Sequence, residues 1–187
     1  MSSDTEFKNF VERQWVAAAD NAINWCKERD EWLCYLQQLY DNIAEYLDEY
    51  IKSGAITIRC STIELNEENI GVYSAKRLAI IIGAQEIVFT PIGTLLIGSK
   101  GRVDVEGSAG NSRLALIDKN LTNARQMVRV TVTNIPPGGR LPPPPESPPS
   151  PEKIEWAWKI VSRPPAMQFI ELNKDTLFEM LMELSNG

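Results

Sequence analysis

The sequence predicts an α+β protein: an N-terminal long helix or helix pair, then a mainly antiparallel β-sheet or roll with a proline-rich loop and a C-terminal helix. Three observations predict it. Residues 5–52 contain neither Gly nor Pro and carry a mostly apolar stripe at spacings of three and four. Beyond Gly54 the apolar period changes to two, with turn signals recurring about every ten residues. Nine of the twelve prolines fall within residues 135–151, so the strand pattern is interrupted there and resumes afterwards.

The stripe runs Val11, Trp15, Ala18, Ala22, Trp25, Arg29, Trp32, Leu36, Tyr40, Ile43, Leu47, Tyr50. Gly54 supplies the stop that a helix C-terminus prefers, and Lys52 suits the negative end of the helix dipole. The stripe admits one rod of about 75 Å or two helices. The charged run Lys27-Glu28-Arg29-Asp30 favours a bend there. Ile56, Ile58 and Cys60 then alternate with Thr57, Arg59 and Ser61. Leu78–Ile82 and Glu86–Thr90 flank a turn at Gly83-Ala84-Gln85. Further strands are expected at Thr94–Ile97, Arg102–Glu106, Arg113–Asp118 and Met127–Thr133, with Arg102, Asp104 and Glu106 on one wet face. After the prolines, strand character resumes in Ile154–Ile160 and Met167–Leu172. A last helix is expected over Thr176–Leu184, capped by Asn173 or Asp175, with Thr176-x-x-Glu179 fitting a capping box.

The organisation that follows is a helical acidic arm over residues 1–54 and a β-rich domain over 55–187. The second contains the proline-rich loop 135–152 and C-terminal strands plus a helix over 153–187. That tail is too short to fold alone and is expected to pack on the preceding sheet.

Composition removes several function classes. The chain has 187 residues and no histidine, which excludes Ser-His-Asp and Cys-His catalysis and the common His-containing zinc sites within this chain. Cys26, Cys34 and Cys60 form no C-x-x-C pair and read as reduced thiols. The net charge of −6 comes from residues 1–54, with 11 acidic and 5 basic side chains, while the remainder carries 14 of each. An acidic arm repels phosphate backbones, which disfavours nucleic acid as a partner. No apolar run reaches the length of a membrane span and the N-terminus lacks a secretory pattern, so the expectation is a cytoplasmic protein with no membrane partner.

The remaining motifs are weak. Gly93–Lys100 approaches a phosphate-binding loop, but Ser99-Lys100 reverses the required Lys-Ser/Thr order. Ser74-x-Lys76 and Ser99-Lys100 are the candidates for a Ser/Lys nucleophile, and neither sits in an oxyanion-hole signature. Asp104, Glu106 and Asp118, with Glu64, Glu67 and Glu68, contain enough oxygens for a hard cation. Cross-strand pairing with Arg102 and Arg113 explains them more simply. No catalytic, cofactor-binding or metal-ligating residue is therefore assigned, and no cofactor is expected.

The function expected is a non-enzymatic protein–protein interaction subunit or adaptor of a cytoplasmic complex. The alternative is a carboxylate- or metal-dependent hydrolase with its site on the solvent face of the sheet or shared with a partner subunit. The partner, or a second copy in a homo-oligomer, is expected on the helical arm. Its candidate contacts are the aromatic residues Trp15, Trp25, Trp32, Tyr40 and Tyr50. Pro142 and Pro145 are further candidates, because polyproline segments are recognised at low ordering cost.

Overall fold

The structure is a computed structural model that describes residues 8, 24–94, 99–123, 154–162 and 167–185. Helix α1 spans Trp25–Tyr46, and a five-residue helix α2 spans Asp48–Lys52. Seven strands follow: β1 (Ile56–Glu67), β2 (Gly71–Ile82), β3 (Gln85–Gly93), β4 (Gly101–Gly107), β5 (Gly110–Asp118), β6 (Trp156–Val161) and β7 (Phe169–Glu171). Helix α3, Lys174–Ser185, comes last. The strands lie side by side in chain order and every neighbouring pair is antiparallel. The α+β class read from the sequence is therefore the one observed.

Helix α1 starts where Asn24 Oδ1 accepts the Lys27 backbone N–H at 3.1 Å, an N-cap that satisfies one of the otherwise unpaired donors of the first turn. Helix α1 runs from its cap at Asn24 through the charged run Lys27–Asp30, where Arg29 bonds Asp30 at 2.7 Å, and residues 9–23, which would form the other arm of a bend there, lie outside the described residues. An interruption comes at Leu47, between α1 and α2. Gly54 ends the helical segment at φ +78, the left-handed conformation that a side chain would disfavour.

One face of α1 (Trp32, Leu36, Leu39, Tyr40 and Ile43) shares a single apolar cluster with the sheet and α3. The sheet contributes Ile80, Ile87, Phe89, Val103, Val105 and Leu114, all fully buried, and α3 contributes Leu177, Met180, Leu181 and Leu184. Two hydrogen bonds to backbone carbonyls help fasten α1 across the strands. Trp158 Nε1 donates to the Tyr35 carbonyl at 3.1 Å, and the Tyr40 hydroxyl donates to the Lys76 carbonyl at 2.8 Å.

Strand β3 carries one irregularity. Pro91 pairs with Val103 and Gly93 with Arg102, so Ile92 is an extra residue opposite the β4 ladder and points outward. On the face of the sheet away from α1 the wet stripe of Arg102, Asp104 and Glu106 is present, with Val103 and Val105 fully buried behind it. Toward β5–β7 that face is not wet. Ala115, Ile117 and Phe169 form a second small core there, joined by Leu121 and Val161. Beside it the buried Lys159 ammonium donates to the Lys119 and Leu121 carbonyls at 2.7 and 2.6 Å.

The hairpin β1–β2 extends well beyond the part of β2 that pairs with β3, which is Leu78–Ile82 only. Its inward positions are Ile56 and Ile58 near the sheet, but Ile63, Leu65 and Glu67 at the far end. On β2 they are Leu78 and Ile80 near the sheet, but Tyr73 and Ala75 beyond it. Register stays one-to-one from Ile56↔Ile82 to Glu67↔Gly71, so the buried face changes by coiling of the two-stranded ribbon without an inserted residue. The far half turns over α1.

Helix α3 begins with a reciprocal cap: Asn173 Oδ1 accepts the Thr176 N–H at 3.0 Å, while Thr176 Oγ1 accepts the Asn173 N–H at 2.9 Å. The box is thus Asn173-x-x-Thr176, three residues earlier than the sequence pattern suggested. At the other end, Ala109 N–H in the β4–β5 turn donates to the Leu184 carbonyl at 3.0 Å. The expected strand Met127–Thr133 and the proline-rich segment 135–152 lie outside the described residues.

Burial pushes the Tyr40 and Tyr73 phenols well above their ordinary value of 10, and for Tyr73 the Glu67 carboxylate adds to the effect. A phenol whose pKa is raised by folding contributes stability that is complete below about pH 10 and is lost as pH rises further. The unfolding free energy is therefore expected to hold level up to about pH 10, then fall by up to about 1.4 kcal/mol per pH unit for Tyr40. Tyr73 acts in the same direction. Denaturant titrations at stepped alkaline pH check this, and Tyr40→Phe and Tyr73→Phe variants that keep the wild-type slope would refute it.

Candidate functional site

The solvent stripe on β4 is the first place to look for chemistry. Arg102 grips Asp104 with two hydrogen bonds, Nε to Oδ1 at 2.7 Å and a terminal nitrogen to Oδ2 at 2.6 Å. Arg113, directly opposite on β5, adds a contact at 3.7 Å. Both carboxylate oxygens are thereby engaged by guanidinium, the arrangement of an ion pair. Glu106 lies two residues along at the rim of the same shallow depression of about 380 Å³, floored by Val161 and Met167. Asp118 is elsewhere, its Oδ1 accepting the Asn120 N–H at 2.9 Å in the turn after β5. Among the described residues no group of three or more His, Cys, Asp or Glu side chains converges on a common point.

Glu67, another carboxylate of that set, is buried and held by its own partners. The Tyr73 hydroxyl donates to its Oε1, and Oε2 accepts both the Thr94 N–H at 2.9 Å and the Thr94 hydroxyl at 2.7 Å. Lys100, the cation of the apparent phosphate loop, is likewise engaged. It pairs with Glu31 and, at 3.6 Å, with Glu28, and stands 5.5 Å from the Trp156 ring centre. The contact with Lys100 also holds the Glu31 carboxyl below the usual range. Ser99 Oγ is bonded to the Gly101 and Leu116 carbonyls, and Lys76 to Gln37 Oε1 at 2.9 Å. Neither Ser/Lys pair is assembled for nucleophilic attack.

The aromatic residues of the arm fall into different environments. Trp32 and Tyr40 are 0% and 4% exposed and belong to this chain's own core, because α1 lies on the sheet instead of projecting from it. Neither is presented to a partner in this arrangement. Trp25 is half-buried at the first turn of α1, and Tyr50 on α2 is 42% exposed. Trp15, Pro142 and Pro145 lie outside the described residues.

Tyr50 opens onto a feature that no single stretch of sequence reveals. An apolar groove of about 410 Å³ runs between α2 and α3. It is floored by the cross-strand pair Ile56↔Ile82. Leu47 and Leu181 form its buried depth, while Tyr50 and Met182, 42% and 56% exposed, form its lips. The Tyr50 ring stands edge-on to Phe178, with 5.8 Å between centres. The sequence signal that was available is Met182, an apolar residue on the outer side of an otherwise well-patterned helix. Comparison of the chain with protein-family models, with curated proteins and with solved structures gave no match.

Proposed function

We propose that this chain is a non-enzymatic protein-interaction subunit or adaptor. The observation that carries this reading is the open groove with Tyr50 and Met182 at its lips, which is apolar and concave. The polar clusters that a catalytic reading would use are instead closed by hydrogen bonds and ion pairs within the chain. Among the described residues no helix is long and apolar enough to cross a membrane. Cys26, Cys34 and Cys60 are exposed and free, which supports a reducing, cytoplasmic setting. Any homo-oligomer or contribution from the proline-rich segment belongs to the same proposal.

The test separates binder from enzyme. Asp104→Asn combined with Glu106→Gln keeps the shape of the β4 stripe and removes two charges. It is expected to cost about 1–3 kcal/mol, because Asp104 is half-buried and held by two hydrogen bonds from Arg102. Mg²⁺, Mn²⁺ and Ca²⁺ are expected to leave the Tm of both proteins unmoved, since a ligand bound only by the folded state must raise it. A metal-induced rise in the wild type that disappears in the double variant would replace this reading with a metal-dependent hydrolase.

A further inference from the structure

We infer that the groove between α2 and α3 takes the apolar face of a basic amphipathic helix supplied by a partner protein, an inference that rests on the interaction reading above. Its walls are two helices and its floor is the cross-strand pair Ile56↔Ile82. A cleft of that kind accepts the side-chain ridges of a third helix, anchored at positions i, i+3 or i+4, and i+7. Met182, unbranched and polarizable, suits a lip that must adapt to such ridges.

Charge selects among the possible occupants. The exposed charged residues of the two walls are Asp48, Glu49 and Lys52 on α2, and Lys174, Asp175, Glu179 and Glu183 on α3. Five acids stand against two bases, a balance of −3. Lys52 is already bound to Asp48 at 2.6 Å, and Lys174 lies over the Phe178 ring at 5.6 Å. A second copy of the chain would bring equally acidic wall helices and a net charge of −6. Residues 1–23 of the same chain carry four acids and two bases. An anionic lipid surface would be repelled for the same reason. A helix with Lys or Arg flanking its apolar face meets the apolar floor and complements the net acidic charge of the two wall helices at once.

The experiment uses the full chain and three labelled peptides of about 16 residues, long enough for four helical turns. One has Leu and Lys in helical amphipathic order, one has the same composition scrambled, and one has Leu and Glu in the amphipathic order. Fluorescence anisotropy is expected to show binding of the ordered Leu/Lys peptide alone, weakening as salt is raised. Met182→Lys, at an exposed helical position that tolerates Lys, is expected to weaken binding at least about tenfold with an unchanged Tm. Tyr50→Lys provides a second variant at the opposite lip. Val72→Lys, on a residue 64% exposed in the β1–β2 hairpin, is expected to leave affinity unchanged.

Equal binding of the scrambled or Leu/Glu peptide, no binding at about 100 µM, or indifference to both groove variants would each overturn the inference. Binding that appears only after residues 1–23 are removed would assign the groove to the chain's own segment. A concentration-dependent dimer abolished by Met182→Lys would assign it to a second copy. If a purified native partner binds wild type and Met182→Lys alike, the interaction reading stands and only the groove assignment fails. A metal response at Asp104 and Glu106 removes the reading itself.

Discussion

Gly101→Ala is expected to destabilise the protein by about 3 kcal/mol or more, above the usual cost of overpacking. A Cβ at this position would stand 2.0 Å from Cζ3 and 2.2 Å from Cε3 of Trp32, distances that no pair of carbons tolerates. The indole cannot retreat, because Trp32 is fully buried and already leans on Trp158 with 5.9 Å between ring centres. Trp32→Ala alone is expected to cost about 3–5 kcal/mol through lost burial and the cavity left behind. In that background the added methyl of Gly101→Ala enters vacated space, so its own cost should fall close to zero. The coupling energy of the double-mutant cycle, measured by denaturant unfolding, is then about 2 kcal/mol or larger. Strict additivity would show that the ring and the glycine are not in contact. The same site explains why the indole N–H is tolerated without a hydrogen bond among the described residues. The area buried by the ring outweighs one unsatisfied donor, which costs about 1–3 kcal/mol.

Glu67 carries the second large effect. Its carboxylate accepts from the Tyr73 hydroxyl and twice from Thr94, and Gly93 sits so close that a Cβ there would be 2.7 Å from Glu67 Cδ. Gly93 also adopts φ +130, so glycine is required there for both space and backbone conformation. Glu67→Ala strands three donors, the Tyr73 hydroxyl and the Thr94 N–H and hydroxyl, and is expected to cost about 3 kcal/mol. Glu67→Gln keeps the shape but turns an amide N–H₂ toward one donor, so about half that loss is expected. Tyr73→Phe removes a single donor and should cost about 1 kcal/mol. Equilibrium unfolding of the three variants gives this order. An Ala variant no weaker than the Gln variant would mean that the carboxylate oxygens, despite the distances, are not what holds this corner.

The sequence was most legible where a local rule had no competitor. The stripe from Trp32 to Leu47 buries as its spacing predicts, and Gly54 stops the helices because its left-handed φ needs no tertiary help. Asp104 does pair with Arg113 across the ladder. Reading failed where tertiary packing overrides periodicity. Residues 62–77 were not recognised as strand because the ribbon changes its inward face between Ile58 and Ile63, so alternation is broken by four exposed residues. The charged run Lys27–Asp30 interrupts the apolar stripe without ending α1, because a helix lying on a sheet can keep charged side chains half-buried, as Glu28 and Arg29 are. The groove was invisible for a different reason. Its lining comes from residues 47–56, 82 and 178–185, three segments that no linear pattern links.

The coiled hairpin β1–β2 has a consequence for how the molecule comes apart. Its near half is fixed on both sides, by the sheet and by the core residues Leu78 and Ile80. The far half has no β3 neighbour, and it is attached to the rest chiefly by the Tyr40–Lys76 hydrogen bond, the Glu67–Thr94 contacts and the apolar contacts of Tyr73 and Ala75. Releasing those attachments frees a two-stranded flap without breaking a ladder between β2 and β3, so the domain contains a cooperative unit smaller than itself. The flap lies on the outside of α1, and its opening uncovers that helix while leaving the groove at α2 and α3 untouched. The two surfaces can therefore respond to different events within one chain.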